Sequence, residues 1–376
     1  WNLLLGSPDI GLARPLQSGV AAEDLKSLAK ATQHAEILGL FSLLPKGIWK
    51  DICSLQCIDT DSSTLPDSLQ NIVELYLHVG QKPRLFFSTG SSIDLPNHAQ
   101  SFEIESFVEK LRHASFLKKV SDGALWGQDH RAGVPGTLHR VGFYLDKTQN
   151  RVLGCTIRFG RYIPFTATLV AELLNYGSVI IISAPCQGKT TILRDCIARL
   201  CNSTSSKSPP KVVVVDTSNE IVGDTDEPAP YFGTVRRLQV PTRDAQSEYL
   251  VQAIQNHSPD IVVVDEVGNT EECEGICSII HRGTRVLCSV HGSSLAGVVR
   301  NLKLNVLFGG SQPLLLSYDE KRAKQKLRKT ALERMNPIGF HFAIQLKRGE
   351  YGKALLYVNL DKIVDRIYDT EDWTTG

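Results

Sequence analysis

The segment Val179-Ile180-Ile181-Ile182-Ser183-Ala184-Pro185-Cys186-Gln187-Gly188-Lys189-Thr190-Thr191 constrains this chain more than any other. Four aliphatic residues run into a turn ending Gly-Lys-Thr-Thr, and the helical stretch Ile192–Leu200 follows. Strand, tight loop and helix in that order make a phosphate-binding loop of the Walker A kind. Its chemistry belongs to the backbone: successive N–H groups and the positive end of the helix face anionic oxygens. Gly188 permits close approach, Lys189 would bridge the β- and γ-phosphates of ATP, and the Thr190 hydroxyl would ligate Mg2+. Ser183, Ala184, Pro185, Cys186, Gln187 and Thr191 complete the expected cradle. The motif ordinarily opens with Gly. Here Ser183 holds that place, with less conformational freedom.

Three more aliphatic runs follow: Val212–Val215, Ile261–Val264 and Val286–Val290. Continuously apolar strands alternating with helices predict a parallel sheet covered on both faces. Polar residues stand at the end of each run. In Ile261-Val262-Val263-Val264-Asp265-Glu266, a Walker B pattern, Asp265 would reach Mg2+ through water. Glu266 would polarise the attacking water as general base; the alternative is a strand that merely ends in solvent. Asp216 and Glu220, after the second run, would hold the water network or a partner residue, with a capped turn as the alternative. His291 would sense the γ-phosphate, with Ser289 in reserve. Charge stabilisation calls for an arginine. Arg236 and Arg237 are the best placed, on this chain or reaching a neighbouring subunit, and Arg282, Arg285 and Arg300 compete. A strand between Walker A and Walker B, with Glu directly after the Walker B Asp, predicts an α/β, RecA-like/AAA-type P-loop core.

Around that core the expected organisation is a loose lead-in at 1–20, a small α/β domain at 21–125 and a β-rich connecting segment at 126–162. The core itself is expected at 163–315, then a basic segment and a closing β-hairpin at 316–376. In the small domain, spacing predicts helices over 21–44 and 102–113, and another opening at Asp67 with Ile72, Val73, Leu75 and Leu77 on its buried face. Strands are expected over 85–88, 138–145 and 152–159, and the closing hairpin pairs 340–346 with 354–359. Between 319 and 334 lie seven Lys or Arg residues without interleaved aromatics, which reads as a solvated helix face rather than a nucleic-acid patch.

Composition removes several classes. With 41 Lys plus Arg against 40 Asp plus Glu, and 42% hydrophobic residues, the chain is neither mainly disordered nor globally polybasic. No apolar run approaches the roughly 18 residues that span a bilayer. Nine cysteines are an odd number and suit a reducing compartment; the pairs Cys53/Cys57 and Cys273/Cys277 read as buried thiols before metal ligands. The chain opens on Trp1 and its only Met is Met335, so a processed or truncated N-terminus is expected.

Together these motifs resemble the plastid and cyanobacterial ATPases called hypothetical chloroplast reading frame 45, with the plant seedling plastid development proteins and stage III sporulation protein AA. The resemblance is carried by His130-Arg131-Ala132-Gly133, Leu138-His139-Arg140, Arg158-Phe159-Gly160-Arg161 and the phosphate loop. It continues through Asp216–Ile221, Arg236–Pro241, Asp265–Gly268, His291-Gly292, Leu307–Gly310 and Lys329–Arg334. The order acidic box, Walker B, His-Gly is also similar to secretion-type hexameric ATPases. The resemblance implies an ATP hydrolase acting on a protein partner as a homo-oligomer, with a hexamer as one form. It implies a plastid location; a cytoplasmic one is the alternative. Two rival functions stay open: a nucleic-acid-dependent ATPase, and a nucleotide-gated scaffold with negligible turnover. Cys186 sits where the family carries Gly, and a thiol among converging N–H groups would be oxidisable.

Overall fold

The computed structural model describes residues 2–5, 22–55, 69, 71–114, 130–134, 136–148, 151–185, 187–202, 209–217, 219–223, 228–315, 330–347, 349 and 353–369. The chain divides into two compact units. One comprises Trp1–Val20, Phe165–Ile221 and Thr234–Gly376, the other Ala21–Pro164 with Val222–Gly233.

The second unit is built on a six-stranded antiparallel sheet. Its strands are β2 (Ile72–His78), β3 (Arg84–Phe87), β4 (Ser92–Asp94), β5 (Arg131–Gly133), β6 (Arg140–Leu145) and β7 (Val152–Arg158), in the order β4-β3-β2-β7-β6-β5. Leu75, Leu85, Val141 and Ile157 meet in one cross-strand row and are buried. They share a core with Ile37, Leu40 and Phe41 of the helix Ala22–Leu43, with Ile48 and Ile52 of Lys46–Leu55, and with Ile104 and Phe107 of Ser101–Ala114. On the other face Arg140 stands directly opposite Arg158, and Glu74 reaches the Arg158 guanidinium at 3.6 Å.

Two expectations change here. Ile72–His78 is a strand, not a helix: Leu75 and Leu77 are buried and alternate with half-buried Glu74 and Tyr76, the period-two pattern of a sheet. The stretch expected as a connecting segment, 126–162, supplies β5, β6 and β7 to this same sheet. β7 pairs with β2 across some 80 residues of sequence, which no local pattern announces.

Gly160 follows β7, and a Cβ there would lie 1.9 Å from the Leu138 carbonyl oxygen. Backbone cannot swing aside as a side-chain tip can. Gly160→Ala is therefore expected to destabilise this unit by about 1–3 kcal/mol, seen as an earlier urea midpoint in circular dichroism. An unmoved midpoint would remove the close-approach explanation.

The first unit carries an eight-stranded sheet. Its members are β1 (Asn2–Leu5), β8 (Val179–Ser183), β9 (Val212–Asp216), β10 (Arg236–Gln239), β11 (Ile261–Val267), β12 (Arg285–His291), β15 (Phe342–Leu346) and β16 (Lys353–Val358). They run in the order β1-β16-β15-β8-β12-β11-β9-β10, and only β15 with β16 is an antiparallel pair. Ile180, Ile182, Val213, Val215, Val262, Val264, Val286 and Val290 share one core with Leu250, Ile276, Val298 and Val364 of four helices. The alternate residues Val179, Ile181, Val212, Val214, Ile261 and Val263 are equally buried, so both faces are covered. That is why these strands read as unbroken aliphatic runs.

The sheet extends beyond the span expected for the core. The segment expected as a loose lead-in contains β1, parallel to β16. The closing hairpin forms as expected, but β15 also pairs in parallel with β8. The helix Leu360–Asp369 then packs Val364 and Tyr368 into the core. Of the basic segment, Thr330–Arg334 is strand β14, antiparallel to β13 (Ser311–Leu315), not helix. Arg334 is ion-paired with Asp361 and Asp365. Lys321, Arg322, Lys324, Lys326, Arg328 and Lys329 lie outside the described residues.

Among the described residues no helix is long and apolar enough to cross a membrane. Among the described residues, Cys53, Cys155, Cys196, Cys201, Cys273, Cys277 and Cys288 form no disulfide, and all but Cys277 are buried. Burial pushes the Cys155 and Cys201 thiols up to about 12. Cys273 and Cys277 point at the carbonyls of Lys303 and Val306. Cys57 and Cys186 lie outside the described residues.

Candidate functional site

The site gathers at the carboxyl ends of β8, β12 and β11, which are neighbours in that order. Ser183 is the last residue of β8, fully buried and in register with His291. Because it is still a strand residue, its position makes no demand for the left-handed backbone that favours glycine. Its hydroxyl donates to the Ala184 carbonyl at 2.7 Å. That demand falls on Gly188, where φ is 89° at the N-cap of the helix Lys189–Cys201. Gln187 accepts from the Gly349 N–H at 3.1 Å, so the tip of the β15–β16 hairpin touches the loop. Thr190 and Thr191 are half-buried in the first turn. Pro185 is exposed, and Cys186, with its expected redox sensitivity, lies outside the described residues.

Lys189 Nζ lies 2.8 Å from His291 Nδ1 and 3.2 Å from Nε2, and His291 Nε2 lies 3.2 Å from Glu266 Oε2. The shorter lysine contact and the Glu266 contact suit one tautomer: Nδ1 accepts from the ammonium while Nε2–H donates to the carboxylate. The other carboxylate oxygen, Oε1, accepts from the Arg243 guanidinium at 2.9 Å. Burial alone would raise the Glu266 carboxyl. The Arg243 hydrogen bond, then the electrostatic effects of the His291 ring, Arg243 and Lys189, outweigh it and hold the group below the usual carboxylate range.

Asp265 and Glu266 stand where the register of β11 against β12 shifts, between Val264 and Val267. A bulge of this kind re-aims side chains at a strand end. The Ser289 hydroxyl donates to the Asp265 carbonyl across the shift. Beyond it, Asn269 and Glu272 form a capping box on the helix Thr270–His281, and Glu272 also accepts from the Gly268 N–H at 2.7 Å. Gly292 leaves room at the end of β12: a Cβ there would meet Val298 Cγ2 at 2.4 Å.

The remaining expected residues divide into two groups. Asp216 is fully buried and accepts from the N–H groups of Glu220 and Ile221 at 3.1 and 2.9 Å, shaping the turn after β9. Arg194 donates to the Glu220 carbonyl at 3.0 Å, tying that turn to the phosphate-loop helix. Arg236 and Arg237 stand in edge strand β10 opposite Val213 and Val214. Arg236 donates to the His257 carbonyl, at the amino ends of the strands and away from Lys189. Arg285 and Arg300 are bonded to the carbonyls of Leu174 and Ile367.

Three residues at the site are not among those expected from the sequence. Arg243 lies in a short turn that runs on into the helix Gln246–His257. Gln246 is buried, donates to the Glu266 carbonyl at 2.9 Å and accepts from the Thr217 hydroxyl at 2.6 Å. Glu272 was detectable through the Asn-x-x-Glu spacing of its capping box.

A strand, loop and helix of this form, with a third strand between β8 and the acidic strand β11, define an α/β protein with a RecA-like, P-loop ATPase-like core. The chain belongs to the ycf45 family. It is 30% identical to the ycf45 protein of Cyanidium caldarium over 301 residues, 78% of this chain and 87% of that one. It is 30% identical over 346 residues to the protein SEEDLING PLASTID DEVELOPMENT 1 of Arabidopsis thaliana, 91% of this chain and 46% of the relative. The Porphyra purpurea ycf45 protein is 32% identical over 79% of this chain and 49% of its own length. The chain thus spans about half the length of these last two relatives. Residues 145–310 match the family described as sporulation stage III, protein AA. Among solved structures, the Legionella pneumophila ATPase DotB aligns at 14% identity over 79% of each chain, with a TM-score of 0.47. The pilus retraction motor PilT aligns at 12% identity over 80% of this chain and 84% of that one, also with a TM-score of 0.47.

Proposed function

We propose that this chain binds ATP with Mg2+ at the 183–191 loop and hydrolyses it. The observation that carries this is the hydrogen-bonded line from Lys189 through His291 to Glu266, laid across the ends of three adjacent strands. A loop cation, a polar relay and a carboxylate held in its charged form are the parts that in-line attack of water on a γ-phosphate requires. Glu266 accepts the proton of the attacking water, Lys189 neutralises charge on the phosphate, and His291 links the two. The Thr190 hydroxyl and the Asp265 carboxylate are hard oxygen donors and fit Mg2+. When bound, that ion neutralises charge on the phosphate oxygens.

We further read the chain as a homo-oligomer working on a protein partner in the plastid. Its relatives' names support the compartment, and the motif order supports the assembly, with a hexamer as one form. Arg236 and Arg237 would then serve a neighbouring copy.

The deciding experiment is phosphate release by the purified chain with Mg2+ and ATP, alongside mass measurement with and without nucleotide. Turnover that stops when Mg2+ is chelated is the expected result. Tight ATP binding with no release of phosphate would replace the hydrolase with a nucleotide-gated scaffold.

A further inference from the structure

We infer that Arg243 is a positioning residue for hydrolysis, fixing the Glu266 carboxylate so that Oε2 is the oxygen turned toward His291 and the phosphate loop. This role presupposes the hydrolytic reading of Glu266.

The two carboxylate oxygens have different partners. Oε1 is held by the Arg243 guanidinium at 2.9 Å, while Oε2 lies 3.2 Å from His291 Nε2, which continues to Lys189. The strand cannot supply that orientation, because Glu266 sits in the stretch where the β11 ladder is out of register. The segment beginning at Arg243 supplies it twice. Arg243 takes the side chain, and Gln246, three residues on, takes the backbone carbonyl at 2.9 Å. Gln246 is in turn fixed by the Thr217 hydroxyl just beyond β9, so the turn after that strand and the base share one support.

Stability does not explain the pair. The Arg243 side chain is 59% exposed and that of Glu266 36%, and ion pairs this open contribute little to folding. A Cβ on Gly268 would stand 2.8 Å from the Arg243 terminal nitrogen, so a side chain there would make the guanidinium tip shift.

The test measures kcat and KM for wild type, Arg243→Ala, Arg243→Lys, Gly268→Ala and the double variant Arg243→Ala/Gly268→Ala. Arg243→Ala is expected to lower kcat about 10- to 100-fold, the scale of a misplaced catalytic group, with KM nearly unchanged. Arg243→Lys should recover part of the loss by returning a cation to Oε1. Gly268→Ala leaves Arg243 in the chain but displaces the guanidinium tip, so it should show a smaller loss of the same kind. The double variant should be no worse than Arg243→Ala, since both changes break one contact. Affinity for a fluorescent ATP analogue shows whether each variant retains its site; if Arg243→Ala loses it, Arg243→Lys decides. An unchanged kcat in the folded variants, or a rise in KM alone, overturns the positioning role while ATP hydrolysis stands. A wild-type chain that releases no phosphate overturns both.

Discussion

Glu266→Gln is expected to lower the turnover of ATP by about 10²- to 10⁴-fold, the usual contribution of a general base. The substitution is nearly isosteric, and the amide oxygen can still accept from Arg243, 2.9 Å away in the native chain. Gln246 would keep its bond to the backbone carbonyl of the same residue. The bond to Arg243 is preserved, while the capacity to take a proton is lost together with the contact to His291 Nε2–H, which an amide nitrogen cannot accept. Nucleotide affinity should therefore hold while phosphate release collapses, and bound ATP should persist on the protein. Rapid-quench measurement of bound ATP and released phosphate separates the two quantities. Phosphate release equal to that of wild type would show that Glu266 is not the base.

Lys189→Ala should fail one step earlier, at binding. Charge-assisted hydrogen bonds contribute about 1.5–3 kcal/mol, which corresponds to roughly a 10- to 100-fold loss of affinity. The fold should tolerate the change, because Ala suits the first turn of a helix. His291, partly exposed, can take water in place of the ammonium at Nδ1. Titration with a fluorescent ATP analogue reads the effect directly, and the thermal midpoint controls for unfolding. Undiminished affinity would mean that this loop is not where the phosphates lie.

Much of the core was legible because its strands are buried on both faces. Such strands leave an unbroken aliphatic signature, and Val179–Ser183, Val212–Asp216, Ile261–Val267 and Arg285–His291 all carry one. The acidic and basic groups at their carboxyl ends follow from that. What was not legible depends on partners distant in sequence. Ile72–His78 has enough leucine to pass for a helix until β7 is beside it. The 354–359 half of the hairpin alternates as any exposed pair would, and nothing local says that its partner β15 will enter the main sheet. The helix Leu360–Asp369 has a strongly one-sided apolar face, Leu360, Val364 and Tyr368, and was readable by spacing although not read.

At the site the same division holds. Glu266 and His291 stand within aliphatic strands and Lys189 opens the helix that follows one, so all three could be named in advance. Arg243 could not, since an arginine in a turn is ordinarily surface charge, and its importance comes from one oxygen of a residue on another element. Arg236 and Arg237 are the best placed in sequence, yet β10 carries Arg236 to the end of the sheet opposite the Lys189 loop of its own chain.

The strand beneath the phosphate loop has a peculiar schedule. β8 is flanked by β12 on one side and β15 on the other, both from much later in the sequence. A ribosome that has just delivered the phosphate loop has supplied neither neighbour. Until Phe342–Leu346 emerges, β8 lacks a flank, with unpaired N–H and C=O groups along a strand that is aliphatic except for Ser183. The nucleotide pocket is thus among the last parts of the chain to acquire its frame, and the growing polypeptide presents a sticky, unfinished strand meanwhile. Folding helpers, or nucleotide arriving at the finished loop, would have most to act on during that interval.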